Sequence, residues 1–447
     1  MTFEAFLSAP SRASVALLGL GRANGAVLSW LHGHGGKATV YTERLPDREW
    51  AENAPLVLGP FPEDFAEDVL VRSPGIRPDI PPISRALARG ALLVSETELF
   101  MALAPCPIIG VTGSDGKTTT ASLIAALCSA AGHRVWLGGN NGTPLLPSVF
   151  EMKPSDVAVL ELSSFQLMSA RRAPDVAVIT NVTPNHLDWH VDMAEYVAAK
   201  RRIVAPTTRL VTNAENAVTR AIGEGREGTV FFSPDPDLCV GDCITVKNGR
   251  VELLERGTCR TFEGLDGFRL PGRHNVENLL AAIAAAAPYI TDTTPSAALP
   301  HFRGVAHRMQ YVDTVRGVRY YNSSIDTSPT RTVAALAALG GHPLVIAGGR
   351  GKGVSFLPLG EAFSREAKAV YLYGEAASEI AAALPRGYPH KIFDRFGDAF
   401  TAAVADATEG DTVLLSPACT AFGEFRDFEQ RGETFCHLVK ELAKERK

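Results

Sequence analysis

Short apolar runs, each closing on a turn-forming residue, alternate with stretches of helical character along almost the whole chain. That alternation predicts an α/β architecture with mostly parallel sheets. Val15 to Leu18 and Ala38 to Thr42 read as strands, and Val71-Arg72-Ser73-Pro74-Gly75 as a strand end with its turn. Further on, Ile108 to Val111, Val157 to Leu162 and Val176 to Thr180 are apolar enough to be buried strands. Helices are expected over Thr119 to Ala131, Met193 to Val204 and the alanine-rich Val276 to Ala287, whose residues are good helix formers. Asn248-Gly249 marks a tight turn inside the strand pair Ile244 to Leu253, and Arg316-Gly317 turns a hairpin from Gln310 to Tyr321. Three domains follow, at residues 1–97, 98–302 and 303–447.

Composition narrows the class. Hydrophobic residues make up 46% and charged residues 21% of 447, which suits a globular chain large enough for several cores. A net charge of −5 argues against a nucleic-acid binder. There is no apolar run long enough to span a membrane and no basic-then-apolar leader at Met1 to Phe6, so a cytoplasmic protein is expected. Seven cysteines lack zinc-type pairing, and buried reduced thiols are the expectation.

The candidate chemistry starts at Gly113-Ser114-Asp115-Gly116-Lys117-Thr118, between a buried strand and a helix. Such a loop aims backbone N–H groups and a helix N-terminus at an anion, with Lys117 for the distal phosphates and the Thr118 hydroxyl for Mg2+. The glycine spacing is shorter than in the usual nucleotide loop. Glu161 closes the strand that starts at Val157, where a carboxylate suits Mg2+, a cation that prefers hard oxygen ligands. His186, Asp188 and His190 lie within one short segment and can bind metal or orient phosphate, and Lys200-Arg201-Arg202 reads from composition as a solvated helix face. Gly19-x-Gly21-x-x-x-Gly25 resembles a dinucleotide fingerprint with its last spacing one residue long, and Arg44 suits a phosphate or uracil edge. Asn275 and Asn278, three apart on a helix, can read a nucleoside edge, and His307-Arg308 would place a guanidinium near a triphosphate.

Taken together, Gly113 to Thr118, Gly138-Gly139-Asn140, Glu161-Leu162-Ser163-Ser164-Phe165-Gln166-Leu167, His186-Leu187-Asp188-x-His190, Gly272-Arg273-His274-Asn275 and His307-Arg308 resemble the ATP-dependent Mur ligases that build the peptidoglycan precursor peptide. The resemblance covers essentially the whole chain. Ser73-Pro74-Gly75-Ile76, Ser416-Pro417-Ala418-Cys419 and Phe428-Glu429-Gln430-Arg431-Gly432 make it most similar to members that add D-glutamate to UDP-N-acetylmuramoyl-L-alanine. It implies a Rossmann-like first domain, a central P-loop-type ATPase domain and a Rossmann-like third domain, in a monomer. It also implies site residues. Gly113, Ser114, Asp115, Gly116, Lys117, Thr118, Thr119, Asn275, Asn278 and Arg308 fall on ATP. Thr118, Glu161, His186 and a carbamylated Lys200 fall on two Mg2+ ions, with Lys117, His186 and Lys200 as catalytic residues. Gly19, Leu20, Thr42, Arg44, Ser73, Gly75, Asn140 and His186 fall on the UDP-linked substrate. Thr327, Lys352, Thr420 and Phe428 fall on D-glutamate.

The chain departs from the family pattern at four places. Ser323 stands for an acid, Ile325 for a lysine, Ala421 for a serine (with Thr420 beside it) and Thr42 for an aspartate. The implied reaction activates a carboxylate as an acyl phosphate, which the D-glutamate amine then attacks. The alternatives are another Mur-type ligase, a folylpolyglutamate synthase, a nucleotide-sensing module and, on the Gly19 loop alone, an NAD-dependent oxidoreductase.

Overall fold

The computed structural model describes residues 1–43, 54–140 and 142–444, so Arg44 lies outside the described residues. Three sheets carry the fold. The first holds β1 (Val15–Leu18), β2 (Ala38–Thr42), β3 (Leu56–Leu58), β4 (Val69–Arg72) and β5 (Leu92–Val94), ordered β3-β2-β1-β4-β5 with every pairing parallel. Val, Ala and Leu fill β1 at successive positions because layers cover both faces of a parallel sheet, and all four of its residues are buried. The chain leaves β1 toward β2 on one side and later returns as β4 on the other. That reversal opens a crevice at the carboxyl end of β1, where Gly19 sits.

The second sheet holds β6 (Ile108–Thr112), β7 (Val135–Gly139), β8 (Val157–Glu161), β9 (Val176–Ile179), β10 (Arg209–Asn213), β11 (Thr229–Phe232), β12 (Cys243–Lys247), β13 (Arg250–Glu255) and β14 (Thr258–Phe262). Its order is β14-β13-β12-β11-β10-β9-β6-β8-β7, parallel from β7 across to β12 and antiparallel beyond. Here too the order reverses at one strand, β6, which lies between β8 and β9. The register pairs Val111 with Glu161 and Thr112 with Ile179. The loop after β6 therefore emerges level with the ends of both neighbours.

These two sheets belong to one compact unit, Met1–Asp266 with Val276–Leu299. A single apolar cluster runs from Phe6, Val27 and Val71 of the first sheet's layers to Leu146, Leu160 and Ile179 of the second's. The other unit is Gly267–Asn275 with Pro300–Lys447. Its sheet holds β15 (Gln310–Val315), β16 (Val318–Asn322), β17 (Leu344–Gly348), β18 (Ala369–Tyr373), β19 (His390–Phe393) and β20 (Thr412–Ala418), ordered β15-β16-β20-β17-β18-β19 and parallel except for the β15–β16 hairpin. Successive side chains of a strand point to opposite faces. Val345, Ala347 and Leu414 accordingly join one core with Leu359 and Phe363, while Leu344, Ile346, Val413 and Leu415 join another with Phe400 and Phe435.

The expected strands and both hairpins are present. The helix after the phosphate loop starts at Lys117 rather than Thr119, because Gly116, at φ +79°, is its N-cap. A further antiparallel strand, β14, extends the second sheet beyond the expected pair. The seven cysteines are free, but they are not uniformly buried: Cys259 is exposed on β14 at the sheet edge, and Cys239 and Cys436 are half-buried. Among the described residues, no helix is long and apolar enough to cross a membrane.

Candidate active site

The loop Gly113–Gly116 leaves β6 and enters the helix Lys117–Ala130. Two of its positions need glycine. A Cβ on Gly113 (φ +152°) would lie 1.8 Å from Thr180 Oγ1, and one on Gly116 would lie 2.3 Å from Asn278 Oδ1. The end of β9 holds the loop in shape. Ser114 N donates to Asn181 O (2.9 Å), Asp115 N to Asn181 Oδ1 (2.9 Å) and Thr180 Oγ1 to Asp115 O (2.5 Å). Ser114 Oγ donates to Thr183 O and meets Tyr196 OH, both at 3.0 Å. Asn278 closes the other side, accepting from Thr120 Oγ1 at 3.2 Å.

Two lysines converge on this loop. Lys117 Nζ donates to Gly113 O (2.9 Å) and Ser114 O (2.8 Å), and Lys200 Nζ donates to the same Gly113 O at 2.7 Å. Lys200 is 1% exposed. The composition reading of a solvated helix face therefore fails for Lys200 and holds for its neighbours Arg201 and Arg202, which are exposed. Burial first, and then the nearby Lys117 charge, pull the Lys200 amine down to about 7. With its pKa in that range, a substantial fraction of the amine is unprotonated at neutral pH, and that fraction is nucleophilic.

Glu161 ends β8, in register with Val111 of β6, the strand that leads into the loop. Its Oε1 accepts from Asn140 Nδ2 at 2.8 Å, and Asn140 N donates to Glu161 O at 2.8 Å. The other oxygen, Oε2, is buried and has no hydrogen-bond partner among the described residues. An unpaired buried carboxylate oxygen costs free energy unless something cationic meets it. A divalent cation, which prefers hard oxygen ligands, suits that oxygen chemically. Among the described residues, no three His, Cys, Asp or Glu side chains form a metal cage by themselves.

The segment His186–His190 does not act as one ligand cluster. His186 is exposed, with a left-handed backbone (φ +54°), and its ring lies 4.9 Å from that of Phe165. His190 is buried, its Nδ1 3.1 Å from Glu195 Oε2 and its Nε2 3.0 Å from Ser164 Oγ. Burial holds the His190 pKa below the usual imidazole value despite the adjacent carboxylate. Arg77 holds the Glu195 carboxyl down to about 2.

On the first sheet, Gly19 (φ +75°) follows β1, and a Cβ there would lie 3.0 Å from Ser73 Oγ. Leu20 is half-buried beside it, and Thr42 is buried at the end of β2. Ser73 and Gly75 form the turn after β4. Two residues that the sequence reading left without a role shape this surface. Asn24 Nδ2 donates to Leu18 O, Gly19 O and Val71 O (3.0, 2.7 and 3.3 Å). Arg72, 1% exposed, donates to Pro74 O and Ile76 O in its own turn, and to Phe165 O and Ser169 Oγ of the second sheet's layer. A polar residue inside an otherwise apolar run, as at Asn24 and Arg72, was the only available signal.

In the other unit, Lys352 Nζ donates to Thr327 Oγ1 at 3.0 Å. Thr420 pairs both backbone groups with Arg350, and its Oγ1 donates to Arg350 O at 3.0 Å. Ala421, at the position of the missing serine, is buried. Phe428 packs edge-on against His307 at 5.8 Å, and exposed Arg308 follows His307. Asn275 Nδ2 donates to Pro271 O at 2.6 Å. The substituted positions are also occupied by structural contacts. Ser323 Oγ accepts from Met309 N, and the carboxyl of Asp326, raised chiefly by burial, accepts from Ser416 Oγ at 2.8 Å.

Comparison with known proteins gives this geometry its class. Residues 111–286 match the family model described as "Mur ligase middle domain", and residues 307–419 match "Mur ligase, glutamate ligase domain". The fold is shared with a solved UDP-N-acetylmuramoyl-L-alanyl-D-glutamate–2,6-diaminopimelate ligase (TM-score 0.60, 19% identity, 89% of this chain and 98% of that one). It is shared also with a UDP-N-acetylmuramate–alanine ligase from Thermotoga maritima (TM-score 0.55, 19% identity, 96% and 99%). Among curated relatives, the UDP-N-acetylmuramoylalanine–D-glutamate ligase of Ruminiclostridium cellulolyticum is 37% identical over 96% of both chains. That of Symbiobacterium thermophilum is 40% identical over 96% of this chain and 98% of its own. The chain therefore belongs to the Mur ligases, within the UDP-N-acetylmuramoylalanine–D-glutamate ligase family.

Proposed function

We propose that this protein joins D-glutamate to UDP-N-acetylmuramoyl-L-alanine, converting ATP to ADP and phosphate, in peptidoglycan precursor synthesis. End-to-end similarity to D-glutamate ligases carries the reading. Residues 1–97 bind the UDP-linked substrate, 98–302 bind ATP, and 303–447 bind the amino acid. The protein works as a monomer, and its two nucleotide substrates, ATP and the UDP-linked acceptor, suit a reaction in the cytoplasm.

A carboxylate resists nucleophiles because of its charge. The acceptor carboxylate oxygen attacks the γ-phosphorus, the bond to the β-phosphate oxygen breaks, and an acyl phosphate and ADP result. Lys117 stabilises the charge on the transferring phosphoryl group. The D-glutamate amine then adds to the acyl carbon, loses a proton and expels phosphate.

Gly113 to Thr119, Asn275, Asn278 and Arg308 hold ATP. Gly19, Leu20, Thr42, Arg44, Ser73, Gly75 and Asn140 hold the UDP-linked substrate, with His186 at its reacting end. Thr327, Lys352, Thr420 and Phe428 hold D-glutamate. Thr118, Glu161, His186 and Lys200 as its carbamate would hold Mg2+, and the unpaired Glu161 oxygen supports this assignment. When bound, Mg2+ neutralises phosphate oxygens and so supplies charge stabilisation. Carbamylation adds the unprotonated Lys200 amine to carbon dioxide with loss of one proton, turning a cation into an anionic oxygen donor.

The acyl-phosphate route is tested by labelling both acceptor carboxylate oxygens with 18O. One labelled oxygen per turnover should appear in the released phosphate; unlabelled phosphate would exclude the intermediate.

A further inference from the structure

A continuous chain of polar contacts joins the turn after β4 to the residues around Glu161 and the phosphate loop. Arg77, just beyond Ser73-Pro74-Gly75, donates to both oxygens of Glu195 (2.8 and 3.1 Å) and to Trp189 O (2.7 Å). Glu195 Oε2 also accepts from Val191 N at 3.0 Å and lies 3.1 Å from His190 Nδ1. An ionised carboxylate can only accept, so Nδ1 carries the proton and Nε2 accepts from Ser164 Oγ. Ser164 lies three residues after Glu161 on the same strand-to-helix turn.

The aromatic neighbours follow the same path. The His190 ring stacks on Phe165 with planes 16° apart. Phe165 in turn touches the rings of His186 (4.9 Å) and Trp189 (4.5 Å). Trp189 Nε1 donates to Gly75 O at 3.2 Å, and the N–H groups of Trp189 and His190 both donate to His186 O. His186 thus owes its left-handed backbone to a segment anchored at Gly75 and Arg77 on one side and at Ser164 on the other.

We propose that Arg77, Glu195 and His190 are positioning residues that fix the distance between the two ends of the UDP-linked substrate. This rests on the reading that Ser73 and Gly75 hold its uridine diphosphate, while His186 meets its reacting end and Glu161 would hold Mg2+ beside it. Neither Glu195 nor His190 contacts substrate in this scheme. They set the register between the β4 turn and the His186 segment, so that anchoring the nucleotide delivers the carboxylate to the phosphate loop. Misplacement of reacting groups by about 1 Å can cost around a hundredfold in rate.

The test is steady-state kinetics on the full-length enzyme with each of the three substrates varied in turn. Arg77→Met, on a partly exposed side chain, and Glu195→Gln, nearly isosteric, spare the fold; His190→Phe keeps the ring stacking but removes both polar contacts. All three should raise KM for the UDP-linked acceptor at least about fivefold and lower kcat, leaving KM for ATP and D-glutamate within about twofold. The double variant Arg77→Met/Glu195→Gln should be no worse than the more affected single variant, since both break one chain. Equal rises in all three KM values at unchanged Tm, or no change in any, would overturn the proposal. If the unsubstituted enzyme itself fails to saturate with the UDP-linked acceptor, the functional reading fails instead.

Discussion

Lys200 is the residue whose chemistry depends most on its surroundings. A protonated ammonium 2.7 Å from Gly113 O would repel both Lys117 and a metal; a carbamate would do neither. Lys200→Ala should therefore lower turnover about 10²-fold or more, consistent with loss of electrostatic stabilisation worth ~3 kcal/mol. Small carboxylates such as acetate should restore part of it. With 13C-labelled carbon dioxide, the unsubstituted protein should give a carbamate resonance that the variant lacks. Full activity in Lys200→Ala would end the carbamate assignment. The placements of Lys117 and Glu161 were legible in the sequence because they follow from short-range geometry: a loop between strand and helix, and an acid at a strand end. His190 was legible only as a candidate ligand, and Arg72 and Asn24 had no role at all. Each has a partner far along the chain, Ser164 for His190, Phe165 for Arg72 and Val71 for Asn24. Burial at such distances follows from packing that no local pattern encodes.

At the scale of elements, the phosphate loop keeps its shape because two segments leave no room at its glycines. Thr180, Asn181 and Asn278 fill the space around it. Gly116→Ala would force a Cβ into Asn278 and a non-glycine residue into a left-handed conformation, which alone costs about 1–2 kcal/mol. The expected result is a Tm lower by a few degrees and loss of ATP binding by calorimetry; wild-type affinity would show that the loop is not the nucleotide cradle. Strands were the most legible elements, since fully buried parallel strands such as β1, β6 and β8 read as unbroken apolar runs. β14, with Thr258, Arg260 and Thr261 on a partly exposed edge, lacks that signal. The helix start at Lys117 was missed because it depends on the backbone angle of Gly116.

For the whole molecule, three sheets match the expected three-domain architecture, with the first two sharing one apolar core inside a single compact unit. The amino-acid-binding residues proposed here lie in the other unit, where Thr327, Lys352 and Thr420 sit on loops at the ends of β16, β17 and β20. Similarity to D-glutamate ligases carries the specificity claim, and these residues are where it would act, because the phosphate loop would serve any acyl-phosphate ligase. The departures at Ser323, Ile325 and Ala421 fall in that same unit, so specificity is where the account is most exposed. The direct measurement is phosphate release with ATP and UDP-N-acetylmuramoyl-L-alanine over a panel of amino acids. Release should be driven by D-glutamate and by neither L-glutamate, L-alanine nor a dibasic amino acid. Release driven equally by one of those others, or by none of the panel, would contradict it.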